Sequence, residues 1–360
     1  MDNTLKMLEE LTQALGVPGQ EDEVRGVLSR YLAPYGELVR DNLGGIAVRK
    51  VGTEAAAEHG PRVLIAGHMD EVGYMVSLVT AEGYIRFQPL GGWWEQVMLA
   101  QRVLIRTRKG DIMGVTGSKA PHILPPEERN KIVQKRDMYI DIGARGKEEV
   151  LAAGVRPGDP VVPICPFTVM SNPDMLLAKA WDNRIGCAIA VETCRLLNDE
   201  AHPNVLYAGA TVQEEVGLRG AATLTHLTAP DVAIALDVGI AGDTPGVKSE
   251  EAQGKLGAGP VVLIYDSSLI PNTRLRDLVS DVAEAEGIPL QYDLMAAGGT
   301  DAGRMQLFGP GVPSIAIGVP ARYIHSAASM ISRSDFEQAA QLLAALVRRL
   351  DAETVAGLRG

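Results

Sequence analysis

From about residue 188 onward the sequence alternates compact apolar runs with helix-patterned segments, and this alternation constrains the fold more than any other feature. Apolar runs at 205–210, 232–236, 261–265 and 314–317 are separated by stretches with helical spacing, notably 188–197 and 275–286. Strands that are apolar on both sides belong to a parallel sheet with helices on both faces. Upstream, Ile46-Ala47-Val48 and Val63-Leu64-Ile65-Ala66 fit the same sheet, the second being bare of charge.

Between Val72 and Phe167 the texture changes. Short alternating segments such as Tyr84-Ile85-Arg86-Phe87 and Val103-Leu104-Ile105-Arg106 sit among many glycines and prolines, and helical periodicity is confined to residues 148–153. The expected organisation is therefore a discontinuous α/β domain, residues 1–72 and 168–360, interrupted by a small β-rich insert at 73–167. The N-terminal segment reads as helix from residue 5 to about 32, broken at Val17-Pro18-Gly19. Ser334-Asp335-Phe336-Glu337 reads as a capping box opening a last helix that runs to about residue 350.

Composition narrows the function. A net charge of −11, with no basic run to offset it, disfavours a nucleic-acid partner. The longest apolar runs are far short of the roughly 18 residues of a membrane span. The acidic, amphipathic N-terminus lacks the pattern of a secretion signal, and the three cysteines, Cys165, Cys187 and Cys194, have no disulfide or CxxC framework. A cytoplasmic location is expected, with Cys187 and Cys194 facing the core from one helix.

Two of the six histidines, His68 and His325, follow predicted strands whose partners end in acids. Ligands of open α/β sheets bind beyond the carboxyl ends of the strands. Those ends present His68-Met69-Asp70, Glu214-Glu215 and Asp237, joined from loops by Asp182 and His325. Two residues apart on an extended chain, His68 and Asp70 point the same way, so Asp70 can accept a bond from the imidazole nitrogen that holds no metal. Asp182 reads equally as a helix cap or as a bridging carboxylate. Adjacent carboxylates at Glu214-Glu215, followed by Gly217, require a turn; either both are solvated there, or one binds a cation while the other moves protons. Asp237 closes a run with no other polar side chain and wants a cation. Two histidines and several acids on one sheet edge form the nitrogen and oxygen set that suits zinc, cobalt or manganese.

Several motifs join these residues: Gly67-His68-Met69-Asp70-Glu71-Val72-Gly73, Gly117-Ser118-Lys119, Asp141-Ile142-Gly143-Ala144, Gln213-Glu214-Glu215-Val216-Gly217, Gly299-Thr300-Asp301-Ala302 and Arg322-Tyr323-Ile324-His325-Ser326. With them the chain resembles, nearly end to end, the M42 family of metallo-aminopeptidases, the tetrahedral or glutamyl aminopeptidases. The resemblance implies two divalent ions per subunit, zinc or cobalt, bridged by Asp182. His68 and Asp237 would complete one coordination sphere and Glu215 and His325 the other. Glu214 would be the general base for a metal-bridged water attacking the scissile carbonyl of a short peptide, and Asp70 would orient His68. It also implies a PDZ-like dimerisation domain in the insert and a tetrahedral dodecamer built from dimers. The sequence departs from the family pattern at Asn183, usually an aspartate, and at Ser329, commonly a glutamate.

Rival readings are an N-acyl deacylase or carboxypeptidase of similar fold, an endoglucanase, or a non-catalytic assembly scaffold. Aromatic residues total 4%, few for sugar platforms, and the presence of Glu214 speaks against a silent scaffold. No GxSxG elbow is present for a serine hydrolase.

Overall fold

The computed structural model describes residues 2–53 and 59–359. Among these, eight strands form a mixed sheet in the order Glu37–Arg40, Ile46–Val51, Val205–Thr211, Arg62–His68, Val232–Ile240, Ser314–Ala321, Val261–Asp266 and Gln291–Met295. The four strands from Val205–Thr211 to Ser314–Ala321 are mutually parallel, so their carboxyl ends share one edge. The two N-terminal strands add antiparallel at one side.

Two expectations change in detail. The strand Val261–Asp266 runs antiparallel to Ser314–Ala321 and pairs in parallel with Gln291–Met295 across the helix Thr273–Glu286. A β-α-β unit has thus joined the sheet inverted, and apolar patterning carries no information about strand direction. The Asp237 strand also continues to Ile240, so this aspartate lies within the strand.

Helix Trp181–Leu196 packs across the parallel strands and against the last long helix, Arg333–Arg349. Cys187 and Cys194 are fully buried on it, as expected of small apolar side chains. The last long helix begins earlier than the expected capping box. Ser332 is its cap, accepting the Asp335 N–H at 3.4 Å, while Asp335 is buried and accepts N–H groups of Gly257 and Gly259 at 2.8 and 2.7 Å. The two side chains the expected box needs are used elsewhere: the Ser334 hydroxyl donates to Asp174 at 3.1 Å and Glu337 accepts from Arg333 at 2.7 Å. Helix Arg219–Thr228 was not foreseen.

The expected β-rich segment forms a closed six-stranded barrel from Gly73–Val79, Ile85–Leu90, Tyr139–Asp141, Gly110–Gly117, Arg102–Thr107 and Pro160–Pro163. Closure removes the exposed edges that short strands would otherwise present, and Tyr74, Val103, Ile105 and Ile140 fill its own core. No helix among the described residues is long and apolar enough to cross a membrane.

One buried cation ties the N-terminal helices to the sheet edge. Arg184 is fully buried and donates to the carbonyls of Met69, Leu11, Ala14 and Gly16 at 2.6 to 3.1 Å, and to Glu71 at 3.0 Å. These carbonyls have no water to fall back on, so truncating the donor leaves them unpaired. We expect Arg184→Met to lower unfolding free energy by about 3–5 kcal/mol, measured by urea denaturation; a change below about 1 kcal/mol would contradict this role.

Candidate metal centre

The functional side chains leave four strands and one helix at the shared carboxyl edge. His68 is the last residue of its strand and pairs with Thr211 on the next, from which the chain runs on to Glu214 and Glu215. Asp237 lies opposite Gly318 on the neighbouring strand, and His325 follows that strand's end at Ala321. Asp182 comes from the start of the helix packed beneath. The cleft holds His68, Asp182, Glu214, Glu215, Asp237 and His325 together.

Asp182 sits between the two histidines. Its Oδ1 lies 3.2 Å from His68 Nε2 and its Oδ2 lies 3.3 Å from His325 Nε2. Glu214 Oε2 is 3.7 Å from His68 Nε2, and Glu215 Oε1 is 3.6 Å from His325 Nε2. Potential ligand atoms of His68, Glu214 and Asp237 lie within 4.8 Å of one another, as do those of His68, Asp182 and Glu215.

Both imidazoles are aimed by main-chain carbonyls. His68 Nδ1 donates to the Asp70 carbonyl at 3.0 Å and His325 Nδ1 to the Gly92 carbonyl at 2.8 Å. A carbonyl can only accept, so each ring carries a proton on Nδ1 and turns Nε2 into the cleft. The Asp70 carboxylate does a second job beside the one expected of it. It lies 3.5 Å from His68 Nδ1 and accepts the N–H groups of Glu214 and Glu215 at 3.0 and 3.1 Å. Asp70 fixes the glutamate turn with its side chain and the histidine with its backbone.

Asn183 explains how Asp182 is spared from capping. Its Oδ1 accepts the Gly186 N–H at 2.9 Å, the cap role expected of Asp182, while its Nδ2 donates to the Leu236 carbonyl at 2.6 Å. That second bond needs an amide, because an ionised aspartate has no proton to donate. It anchors the helix start to the strand that carries Asp237. Ser329 is buried, pairs in register with Ala178 and lines a small pocket with Asp182 and His325.

Backbone strain concentrates here. Ala180, Gln213, Leu218, Tyr323 and His325 all have φ between +53° and +60° without being glycine. Left-handed backbone is unfavourable for such residues and persists where the surroundings enforce it, commonly at functional sites.

Electrostatics make the same point. Burial, then the charge of Asp182, push the Glu215 and Asp237 carboxyls up to about 8. Glu214 is raised well above the usual range by burial and by neighbouring acids, against the pull of His68. Burial alone would raise Asp182, but hydrogen bonds from His325 and His68 win and hold it low. His325 rises to about 10: burial disfavours its charge, and Asp182 and Glu215 override that. The donor set fits divalent cations, and Glu215 Oε1 is buried with no hydrogen-bond partner, as a ligand oxygen would be.

Sequence reasoning missed several residues here. Gly91 and Gly92 come from the barrel, immediately after the strand ending at Leu90. A Cβ on Gly91 would lie 2.8 Å from Glu215 Oε2, and one on Gly92 would lie 2.9 Å from His325 Nδ1. The adjacent glycine pair was the available signal. Asp301, buried and bonded to Thr211 Oγ, was quoted only as part of a motif.

The fold and cleft define a metallopeptidase-like α/β protein, and comparison with known proteins makes this specific. The sequence profile described as M42 glutamyl aminopeptidase matches residues 44–342, and the chain belongs to that family. It is similar to a glutamyl aminopeptidase of Lactococcus lactis, 38% identical over 98% of each chain. Among solved structures it is similar to a TET aminopeptidase from a marine sediment Thaumarchaeota archaeon, 48% identical over 99% of each chain with a TM-score of 0.96. It is also similar to the TET1 peptidase of Pyrococcus horikoshii, which assembles into a tetrahedron or a large octahedral shell, at 31% identity, 97% and 100% coverage and a TM-score of 0.84. The protein is a peptide hydrolase that acts at peptide N-termini, as its family does.

The raised carboxyls give a pH prediction. In the folded, metal-free protein Glu215 and Asp237 hold protons up to about pH 8 that the unfolded chain releases near pH 4. The native state then binds more protons than the unfolded one, so stability falls as pH rises across that window. His325, whose charge is lost only near pH 10, shifts stability in the same direction above its ordinary range. Thermal melts of chelator-treated protein should therefore show a lower Tm at about pH 8 than at about pH 5. Added zinc or cobalt should raise Tm more at the higher pH; equal stabilisation at both would contradict the charge account.

Proposed function

We propose that the cleft binds two divalent ions, zinc or cobalt, and removes N-terminal residues from short peptides with Glu214 as general base. The observation that carries this reading is Asp182, whose two carboxylate oxygens face different histidines at 3.2 and 3.3 Å. In this reading Asp182 bridges, His68 and Asp237 hold one ion, and Glu215 and His325 hold the other. Bound there, the ions would supply a Lewis acid for the scissile carbonyl, an acidified attacking water and an attachment for the free amino terminus.

The chain's own residues do the rest. Glu214 borders the same space as His68 and Asp237, and once the ions' charge lets its carboxyl ionise it can take a proton from the attacking water and pass it to the leaving amine. Asp70 holds the backbone of Glu214 and Glu215 so that the base and the neighbouring ligand keep their separation. The Asp70 and Gly92 carbonyls keep His68 and His325 in the orientation that offers Nε2.

Residues 1–72 and 168–360 would form the catalytic domain, and residues 73–167 a PDZ-like dimerisation domain. Similarity to the P. horikoshii peptidase supports a homo-oligomer, in our reading a tetrahedral dodecamer of dimers. Three free cysteines fit a cytoplasmic setting.

Glu214→Gln should retain metal, measured by elemental analysis, while kcat on an aminoacyl-p-nitroanilide falls about 10²–10⁴-fold. A fully active variant would remove Glu214 from the mechanism. Chelator-stripped wild type should regain activity with zinc or cobalt on free but not N-acetylated substrates; equal cleavage of both would remove the exopeptidase reading, and no cleavage of either would point to a deacylase or a silent scaffold.

A further inference from the structure

The cleft, ligand cluster included, encloses about 560 Å³, within the range of small-ligand sites. Apart from the cluster its wall is mostly apolar: Leu218, Val238, Ile240, Met295 and Ile324 line it with residues 297–299, beside Ser267 and Ser268. Among the described residues no lysine or arginine lines this space, and every carboxylate that does belongs to the cluster already described.

The polar groups on that wall are largely consumed internally. Asp266, itself buried, accepts both the N–H and the Oγ–H of Ser268 at 2.7 Å, and the N–H and Oγ–H of Thr300 at 3.2 and 2.8 Å. The Ser267 N–H donates to the Gly298 carbonyl at 2.9 Å. The two loops are thereby locked together, with the Ser268 hydroxyl committed. The Ser267 hydroxyl is left as a neutral group to meet a substrate.

We infer that this cavity receives the side chain of the substrate's first residue and selects a neutral, apolar one of leucine or methionine size, on the apolar wall formed by Leu218, Val238, Ile240, Met295 and Ile324. The inference rests on the aminopeptidase reading and departs from the glutamyl preference in the name of the L. lactis relative. A glutamate side chain would surrender its hydration beside a cluster of acids and find no cation. A lysine would find every nearby carboxylate already engaged as a ligand or base. An aliphatic side chain loses nothing polar and covers the wall.

The test is kcat/KM for the p-nitroanilides of leucine, methionine, glutamate and lysine on the full-length, cobalt- or zinc-loaded protein, alongside Met295→Lys. Leucine and methionine substrates should exceed glutamate and lysine by about 100-fold or more. Met295→Lys should shrink the leucine-to-glutamate ratio by at least about tenfold, and Ile240→Lys, at an exposed position on the cleft lining, provides the same reading if the first variant misfolds. Wild-type protein that cleaves the glutamate or lysine substrate as fast as leucine overturns the pocket assignment and leaves the aminopeptidase reading standing. Two folded variants with unchanged ratios overturn it as well. Metal-loaded protein that cleaves none of the four overturns both.

Discussion

Buried carboxylates crowded around two imidazoles cannot all keep their charge unless something positive enters, and the rest of the structure depends on that constraint. Asp182, Glu214, Glu215 and Asp237 converge on His68 and His325, and water is largely excluded from them. Left to themselves, Glu215 and Asp237 stay protonated to about pH 8. Protonation is one way to relieve the repulsion, and divalent cations are the other. A Glu215 oxygen with no hydrogen-bond partner is a group waiting for a ligand bond.

The scaffold holds these acids in place against their repulsion. Adjacent parallel strands deliver His68, the Glu214-Glu215 turn, Asp237 and His325 to one edge. Asn183 caps the helix in place of Asp182, Asp70 grips the glutamate turn, and a barrel glycine carbonyl orients His325. The barrel thus shapes the site directly through Gly91 and Gly92. Arg184 is the counterweight, a buried cation whose bonds tie the first helix, the Gly16 turn and the His68–Glu71 segment into one unit.

Much of this was legible in the sequence because the strongest constraints are periodic. Charge-free strands at 63–66, 205–210 and 232–236 could only be buried, and the acids and histidines at their ends stood out against that background. Strand direction was not legible: Val261–Asp266 is as apolar as its parallel counterparts and still runs antiparallel to its neighbour. Roles carried by the main chain were equally hidden, since the Asp70 and Gly92 carbonyls leave no residue-type signature. The capping box at Ser334 misled because the Ser334 hydroxyl is taken by Asp174, about 160 positions away in the chain, and Glu337 by Arg333, which leaves Ser332 as the cap.

The central claim is that Asp182 joins two cations, and anomalous diffraction from crystals grown with zinc or cobalt tests it most directly. The account predicts two peaks per subunit, one on each side of the Asp182 carboxylate and about 3.5–4 Å apart, one nearest His68 and Asp237, the other nearest Glu215 and His325. A single peak at full metal saturation, or two peaks that do not share Asp182, would contradict it.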